Sequence, residues 1–311
     1  LDCKDIIRFF AIQIIFDIMS HKAGFVSIIG KPNAGKSTLL NALLGEKLSI
    51  ITPKAQTTRH RILGILNEED YQVVFSDTPG IIKPMYGLHE SMMSAVYGSL
   101  TDADIVLLVT DIHEKHDEEE VMKSLEHCLS PVVVIINKVD QAKQDEISAK
   151  IEYWKTALNP VAIFAASALH DFQVSEIFKY IVDHLPEHPA YYPKDDTYTD
   201  RTERFIVSEM IREKILMFYQ KEIPYSTEVI VTSFLDEPNI VKIQAEIIVE
   251  RESQKAIILG HRGESIKKTG TQSRLSIEEF VGKKVFLELF VKVVSDWRNK
   301  KNYLKRFGYD Q

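Results

Sequence analysis

The chain has 311 residues, 45% of them hydrophobic and 27% charged, which is enough apolar material for two cores of ordinary size. Two cysteines, Cys3 and Cys128, exclude a disulfide framework or a cysteine metal cluster and fit a reducing, cytoplasmic compartment. A net charge of −7 argues against nucleic acid, but residues 255–306 hold 13 basic against 5 acidic side chains, so the overall acidity conceals a basic C-terminal region.

The chain opens at Leu1. The apolar run from Ile6 to Ile18 is interrupted by Arg8, Gln13 and Asp17, too short and too charged to span a bilayer. Residues 1–20 read as an extension outside the native fold, with initiation at Met19, or as an added amphipathic helix.

The first strand is Phe25–Ile29, followed by Gly30-Lys-Pro-Asn-Ala-Gly-Lys-Ser37 and a helical pattern from Ser37 to Leu44. This is G-x-x-x-x-G-K-[ST] in the strand–loop–helix context it requires. Gly30 and Gly35 let successive amides, among them those of Ala34 and Thr38, turn toward an anion, and the helix N-terminus adds its dipole. Lys36 is predicted to reach the β- and γ-phosphates and Ser37 to ligate Mg²⁺. Glu46 to Arg61 is polar and reads as a mobile segment.

A strand over Tyr71–Ser76 ends in Asp77-Thr78-Pro79-Gly80, where Asp77 can hold Mg²⁺ through water and the Gly80 N–H can meet a γ-phosphate. Two unalternating apolar runs, Ile105–Val109 and Val132–Ile136, predict central parallel strands covered on both faces. The second ends in Asn137-Lys138-Val139-Asp140. Guanine presents N1–H and an exocyclic amine side by side, and the Asp140 carboxylate can accept both, whereas adenine would leave it unpaired. Asn137 either bonds guanine N7 or ties its loop to the phosphate loop, and the Lys138 stem covers the ring. After the strand Ala162–Ala165, Ser167-Ala168 offers a backbone N–H to guanine O6. A helix from Val174 to Leu185 and a proline-rich linker over 189–201 close the first domain, 21–188.

From 202 to 311 the order becomes α-β-β-α-α-β: a helix over Thr202–Gln220, strands Thr227–Leu235 and Ile240–Glu250 about an Asp236-Glu-Pro-Asn239 turn, helices around Gly260-His261-Arg262-Gly263, and a strand Val285–Val293. A G-x-x-G turn between two helices after two strands is the backbone clamp of a KH domain for single-stranded nucleic acid. His261, Arg262, Lys267, Lys268 and Arg274 supply its basic face. The fold class is α/β, a doubly wound P-loop GTPase sheet followed by an α+β type II KH domain.

The five ordered elements of the first domain resemble those of translation-factor-related GTPases. That resemblance implies that a Thr in the mobile segment joins Mg²⁺ when γ-phosphate is present; Thr58, which precedes Arg59, is chosen over Thr57. Ile81 departs from the pattern, standing where many such GTPases carry a water-orienting Gln. Relatives with an apolar residue there use K⁺ beside the phosphate loop, for which Asn33 is the candidate ligand, unless Asn33 braces the loop. The whole chain resembles the Era family over about residues 22 to 309. The matching strings are Ala55–Arg61, Ile247–Glu252, Gly260–Lys267 and Leu287–Val293, with Trp297 following. The resemblance implies a GTP/GDP switch acting in the cytoplasm, as a monomer, on the 3′ end of small-subunit ribosomal RNA and on 30S-type subunits. Peripheral association with the inner membrane face through the basic region accompanies it. The rival expectation is an RNA-binding assembly factor for which GTP is a conformational ligand with negligible turnover. His261 replaces the family's usual Lys, and Leu169–Gln173 lacks the Gly common after Ser-Ala.

Overall fold

The computed structural model describes residues 21–115, 119–194 and 198–309, so the extension expected over 1–20 lies outside the described residues. The chain forms two compact units that are discontinuous in sequence. One takes the residues before Ile50, Arg61–Ile81 and Val96–Asp200; the other takes Ile50–His60, Ile82–Ala95 and the chain from Arg201.

The first unit is built on a six-stranded sheet. Its strands are β1 (Lys22–Ile29), β2 (Ile62–Asn67), β3 (Tyr71–Asp77), β4 (Ile105–Asp111), β5 (Val132–Asn137) and β6 (Ala162–Ala165). Their order is β2-β3-β1-β4-β5-β6, parallel except for the antiparallel β2–β3 pair. Alternate strand residues such as Val26, Ile28, Leu107, Val109 and Val133 pack with Leu39, Leu40 and Leu43 of α1 (Lys36–Leu44), and with Ile177 and Ile181 of α5 (Val174–His184). The intervening residues Val74, Val106, Leu108 and Val134 are buried as well, so both faces are covered and the sequence cannot alternate. The remaining helices of this unit are α3 (Glu119–Leu125) and α4 (Gln144–Leu158); α2 (Gly87–Asp102) belongs to it only from Val96, its earlier residues counting with the second unit.

Edge strand β2 is an addition to the strands expected from the sequence. Its six residues carry Gly64, which packs under the Leu44 side chain of α1, a Cβ there lying 2.6 Å from Leu44 Cδ1, and a glycine within a strand weakens the strand signal. The proline-rich segment lies along this unit: Ile65 N–H donates to Tyr198 O at 2.8 Å, and the Tyr191 and Tyr192 amides donate to Gln72 Oε1.

In the second unit β7 (Glu228–Asp236), β8 (Ile240–Val249) and β9 (Lys284–Val293) form a sheet in that order, β7–β8 antiparallel and β8–β9 parallel. Helices α6 (Glu203–Phe218), α8 (Glu252–Leu259) and α9 (Glu264–Val281) complete the expected α-β-β-α-α-β order, with short α7 (Ile223–Ser226) and α10 (Lys301–Arg306) added. Thr202 caps α6 through its hydroxyl, and Val207, Ile211 and Ile215 form the i, i+4 stripe that meets Ile243, Ala245 and Ile247 of β8.

Residues 50–60, polar enough to read as mobile, are packed within this unit. The Arg59 guanidinium is fully buried, donating to Thr227 O at 2.7 Å, Pro224 O at 2.9 Å and Glu228 Oε2 at 3.2 Å. Arg212, paired with Glu209, donates to the carbonyls of Gln56 and Thr57. Partners more than 150 positions away satisfy this backbone, which no local pattern reveals. Leu88 and Met92 likewise share a cluster with Ile248, Val294, Trp297 and Leu304.

Candidate nucleotide site and nucleic-acid interface

The C-terminal ends of β1, β3, β4 and β5 bring Gly30, Asp77, Asp111 and Asn137 to one edge of the sheet, where doubly wound folds bind ligands. Gly30 has φ +145° and its missing Cβ would sit 2.1 Å from Val109 O; Gly35 has φ +99° and the same test meets Asn137 Nδ2 at 2.1 Å. Both positions therefore exclude every side chain. Asn33 adopts φ +64°, a left-handed conformation that Asn tolerates. No side chain caps α1, whose nine residues begin at Lys36 just after Gly35, so its first amides point toward the anion site.

Lys36 is only 6% exposed, and its Nζ donates to Gly30 O at 3.1 Å and Lys31 O at 3.0 Å. Burial lowers its pKa to about 8, against the opposing pull of Asp77 and Glu114. Ser37 Oγ donates to the buried Asp77 Oδ2 at 2.7 Å. An alcohol and a carboxylate side by side suit a hard cation that keeps most of its ligands as water and phosphate, as Mg²⁺ does, so this pair fits that ion. Gly80 lies against the loop, since a Cβ there would come 2.7 Å from Pro32 N, and Ile81 N–H donates to Gly30 O at 3.0 Å. The Ile81 side chain is 2% exposed and offers no hydrogen bond.

Of the two roles open to Asn137, this structure has the tie: Nδ2 donates to Ala34 O and Oδ1 accepts from the Ala168 N–H, each at 2.9 Å. Lys138, at φ +64°, donates to Asn33 O at 2.8 Å and to Asp111 Oδ2 at 2.7 Å. Ser167 Oγ donates to Asp140 Oδ1 at 2.5 Å, the main cause holding the Asp140 carboxyl below its usual range, with His170 adding to it. Ala34, Gly35, Lys36, Ser37, Asp77, Gly80, Asn137, Lys138, Asp140, Ser167 and Ala168 thus converge through these contacts, and Thr38 lies on the first turn of α1. Thr58 is buried in the second unit instead. Sequence reasoning missed Asp111, Glu114 and His170. Asp111 was findable, because it pairs with Asn137 at the ends of adjacent parallel strands.

In the second unit, α8 stops at Gly260 (φ +71°, ψ 179°), Arg262 takes φ +49°, and Gly263 takes φ +79° before α9 begins. A Cβ at Gly260 would lie 2.1 Å from Ser265 Oγ, whereas one at Gly263 meets nothing within 4 Å. His261 and Arg262 are exposed on this turn, and α9 begins with no side-chain cap. Beside it a groove of about 300 Å³ runs between α9 and β9, lined by Ile266, Lys267, Gly270, Arg274, Leu287 and Leu289. Lys268 lies over the Phe218 ring at 4.6 Å, and Arg274 pairs with Glu278 at 2.8 Å. The basic residues were legible in the sequence; the apolar floor was not, because it is shared between a helix and a strand.

Residues 25–138 match the family described as 50S ribosome-binding GTPases, and residues 222–298 match the KH domain family. The chain is 47% identical to the chloroplastic GTPase ERA1 of Zea mays, over 93% of this chain and 71% of that protein. It is 41% identical to GTPase Era of Staphylococcus haemolyticus, over 93% of this chain and 97% of that protein. Among solved structures it is similar to Era in complex with MgGDPNP and nucleotides 1506–1542 of 16S ribosomal RNA, with a TM-score of 0.89 at 40% identity, covering 94% of this chain and all of that one. An Aquifex aeolicus Era variant bound to GDP·AlF4⁻ matches with the same score and identity over 93% of this chain. Identity of this extent across both units, with a phosphate loop in one and a G-x-x-G turn in the other, makes the chain a member of the Era family of GTPases.

Proposed function

We propose that the chain is a GTP-hydrolysing switch that grips the 3′ end region of small-subunit ribosomal RNA and assists maturation of 30S-type subunits. The observation that carries the RNA half is the exposed left-handed Gly260–Gly263 turn beside the groove between α9 and β9, a form suited to clamping the backbone of a single strand. An Era relative has been solved with nucleotides of 16S ribosomal RNA, which favours that RNA as the ligand. In this reading residues 21–188 form the GTPase domain, 189–201 link it and 202–311 form the KH domain.

Catalysis is positioning and charge stabilisation rather than covalent chemistry. The amides of Ala34, Gly35 and Thr38 and the Lys36 ammonium cradle the phosphates. Ser37, Asp77 through water and, in the GTP state, Thr58 would hold Mg²⁺, which would supply neutralisation of charge on the phosphate oxygens. Gly80 presents its N–H to the γ-phosphate. Asp140 accepts the two guanine donors, Asn137 keeps the base loop tied to the phosphate loop, and Lys138 covers the ring. Ser167 braces Asp140, and the Ala168 N–H leaves Asn137 Oδ1 for guanine O6 while Asn137 Nδ2 keeps its bond to Ala34 O. With Ile81 unable to orient water, Asn33 would hold K⁺ beside the phosphate loop. Equal steady-state rates in KCl and NaCl would remove that element. His261, Arg262, Lys267, Lys268 and Arg274 contact RNA phosphates. The chain acts as a monomer in the cytoplasm, with peripheral contact to the inner membrane face through its basic region.

Crosslinking to total cellular RNA with sequencing, in wild type and Gly263→Asp, tests the ribosomal assignment. Reads concentrated at the small-subunit 3′ end in wild type and depleted in the variant are expected; an even spread over unrelated RNAs in both refutes it. Buried Ile81 favours a second reading, GTP as a conformational ligand only. Single-turnover hydrolysis that is undetectable with and without small subunits would favour that second reading.

A further inference from the structure

The segment after Ser167-Ala168, which lacks the family's usual Gly, closes into a tight loop. Ser167 and Phe172 exchange both backbone hydrogen bonds, at 3.1 and 3.0 Å, and His170 N–H donates to Ser167 O at 3.2 Å. Asp171 (φ +54°) and Gln173 (φ +63°) take the left-handed turns that Gly would otherwise supply. The closure sets His170 Nε2 at 3.7 Å from Asp140 Oδ2, while Ser167 occupies Oδ1. His170 remains 61% exposed at the side chain and Asp140 26%.

We propose that His170 is a proton-gated competitor for the carboxylate that reads guanine: protonated, it holds Asp140 Oδ2 and weakens guanine-nucleotide binding, and neutral, it releases that oxygen. The inference rests on the assignment of Asp140 as the guanine acceptor. Guanine brings two adjacent N–H donors, and a carboxylate has only acceptors, so an imidazolium N–H competes for the same oxygen. A neutral ring whose Nε2 carries no proton has nothing to donate there. Histidine is the side chain suited to such a gate, because imidazole is the group that changes charge between about pH 5 and 8. Asp140 faces the ring across the loop, and Asp171 follows His170 in the chain. Lys138, the cation of the Asp140 loop, is committed to Asp111 and to Asn33 O. His170 therefore tunes affinity at the base rather than at the phosphates.

The test is the dissociation constant of fluorescent mant-GDP with Mg²⁺ for the full chain, measured at about pH 8 and about pH 5.8. Titration of Lys36 and of the nucleotide phosphates is common to wild type and His170→Ala and cancels in their ratio. The two should bind alike at the higher pH, with wild type weaker by about two- to fivefold at the lower one, the scale of an exposed ion pair. His170→Lys, cationic throughout, should bind more weakly than His170→Ala at both. A wild-type to His170→Ala ratio of one at both pH values overturns the proposal. Asp140→Asn separates the two failures, because its amide matches xanthine rather than guanine. Unchanged GDP binding by that variant, with no gain of xanthosine diphosphate, would instead overturn the guanine assignment underneath.

Discussion

Replacing Lys36 by Met should stabilise the nucleotide-free protein at neutral pH while abolishing its response to GDP. The lysine is buried, and burial takes its pKa from 10.5 to about 8. That difference corresponds to about 3 kcal/mol carried by the folded state while the ammonium stays protonated. Met removes that cost but withdraws a donor from Gly30 O and Lys31 O, at about 0.5–1 kcal/mol each. The net gain is about 1–2 kcal/mol at pH 7, or roughly 3–6 °C in the transition of a unit of this size. The sign follows from proton binding. Between about pH 8 and 10.5 the unfolded chain binds the proton and the folded one does not, so wild-type stability rises with pH there. The advantage of Lys36→Met should be full below about pH 8, shrink above it, and reverse by about pH 10.5. Calorimetry of both proteins across this range, without nucleotide and with GDP at 100 times its dissociation constant, reads it. Wild type should gain about 2.7 kcal/mol from GDP and the variant nothing. A variant that melts below wild type at pH 7, or a difference that ignores pH, would refute the reasoning.

His60 is neutral in the fold, burial lowering its pKa to about 4 against the opposing pull of Glu228 and Glu209. The unfolded chain therefore binds the extra proton between pH 6.5 and 4, and urea unfolding should show about 2 kcal/mol lost by pH 4.5 that His60→Phe does not lose. Arg212→Ala strands the buried Glu209 and the carbonyls of Gln56 and Thr57, and should cost about 3–5 kcal/mol; Arg212→Met with Glu209→Leu should cost markedly less in the same urea titration. Gly260→Ala should unsettle the second unit through its collision with Ser265, lowering the melting temperature. Gly263→Asp places its Cβ with no atom within 4 Å and is strained only by its φ of +79°, which Asp tolerates better than most residues; it should keep more of the fold yet lose roughly tenfold or more in RNA affinity by fluorescence anisotropy.

Elements whose causes are local were readable in the chain. The phosphate loop is one: Gly30 and Gly35 are required by positive φ and by atoms within about 2 Å of the missing Cβ, and the motif spacing reports this directly. The central strands were readable because burial on two faces leaves an unalternating apolar run. Strand β2 escaped because its Gly64 serves the packing of α1 rather than the strand. Asn137 was ambiguous because its two partners, Ala34 and Ala168, lie 103 residues before it and 31 after it.

Residue types and spacing pointed to the ligand chemistry: anion amides, a lysine and an alcohol in one stretch, a carboxylate suited to guanine in another, and a glycine-framed turn near the end. Those are properties of short segments, whose backbone angles and donor sets are set within a few residues. Only the tertiary structure decided where residues 50–60 fold, with Arg59 and Arg212 each supplying a buried fork whose acceptors sit across the second unit. It alone set His170 beside Asp140, through a loop closed by backbone hydrogen bonds that no side-chain pattern announces. Such contacts depend on which distant groups share a low-dielectric interior, and that information exists only once the chain has folded.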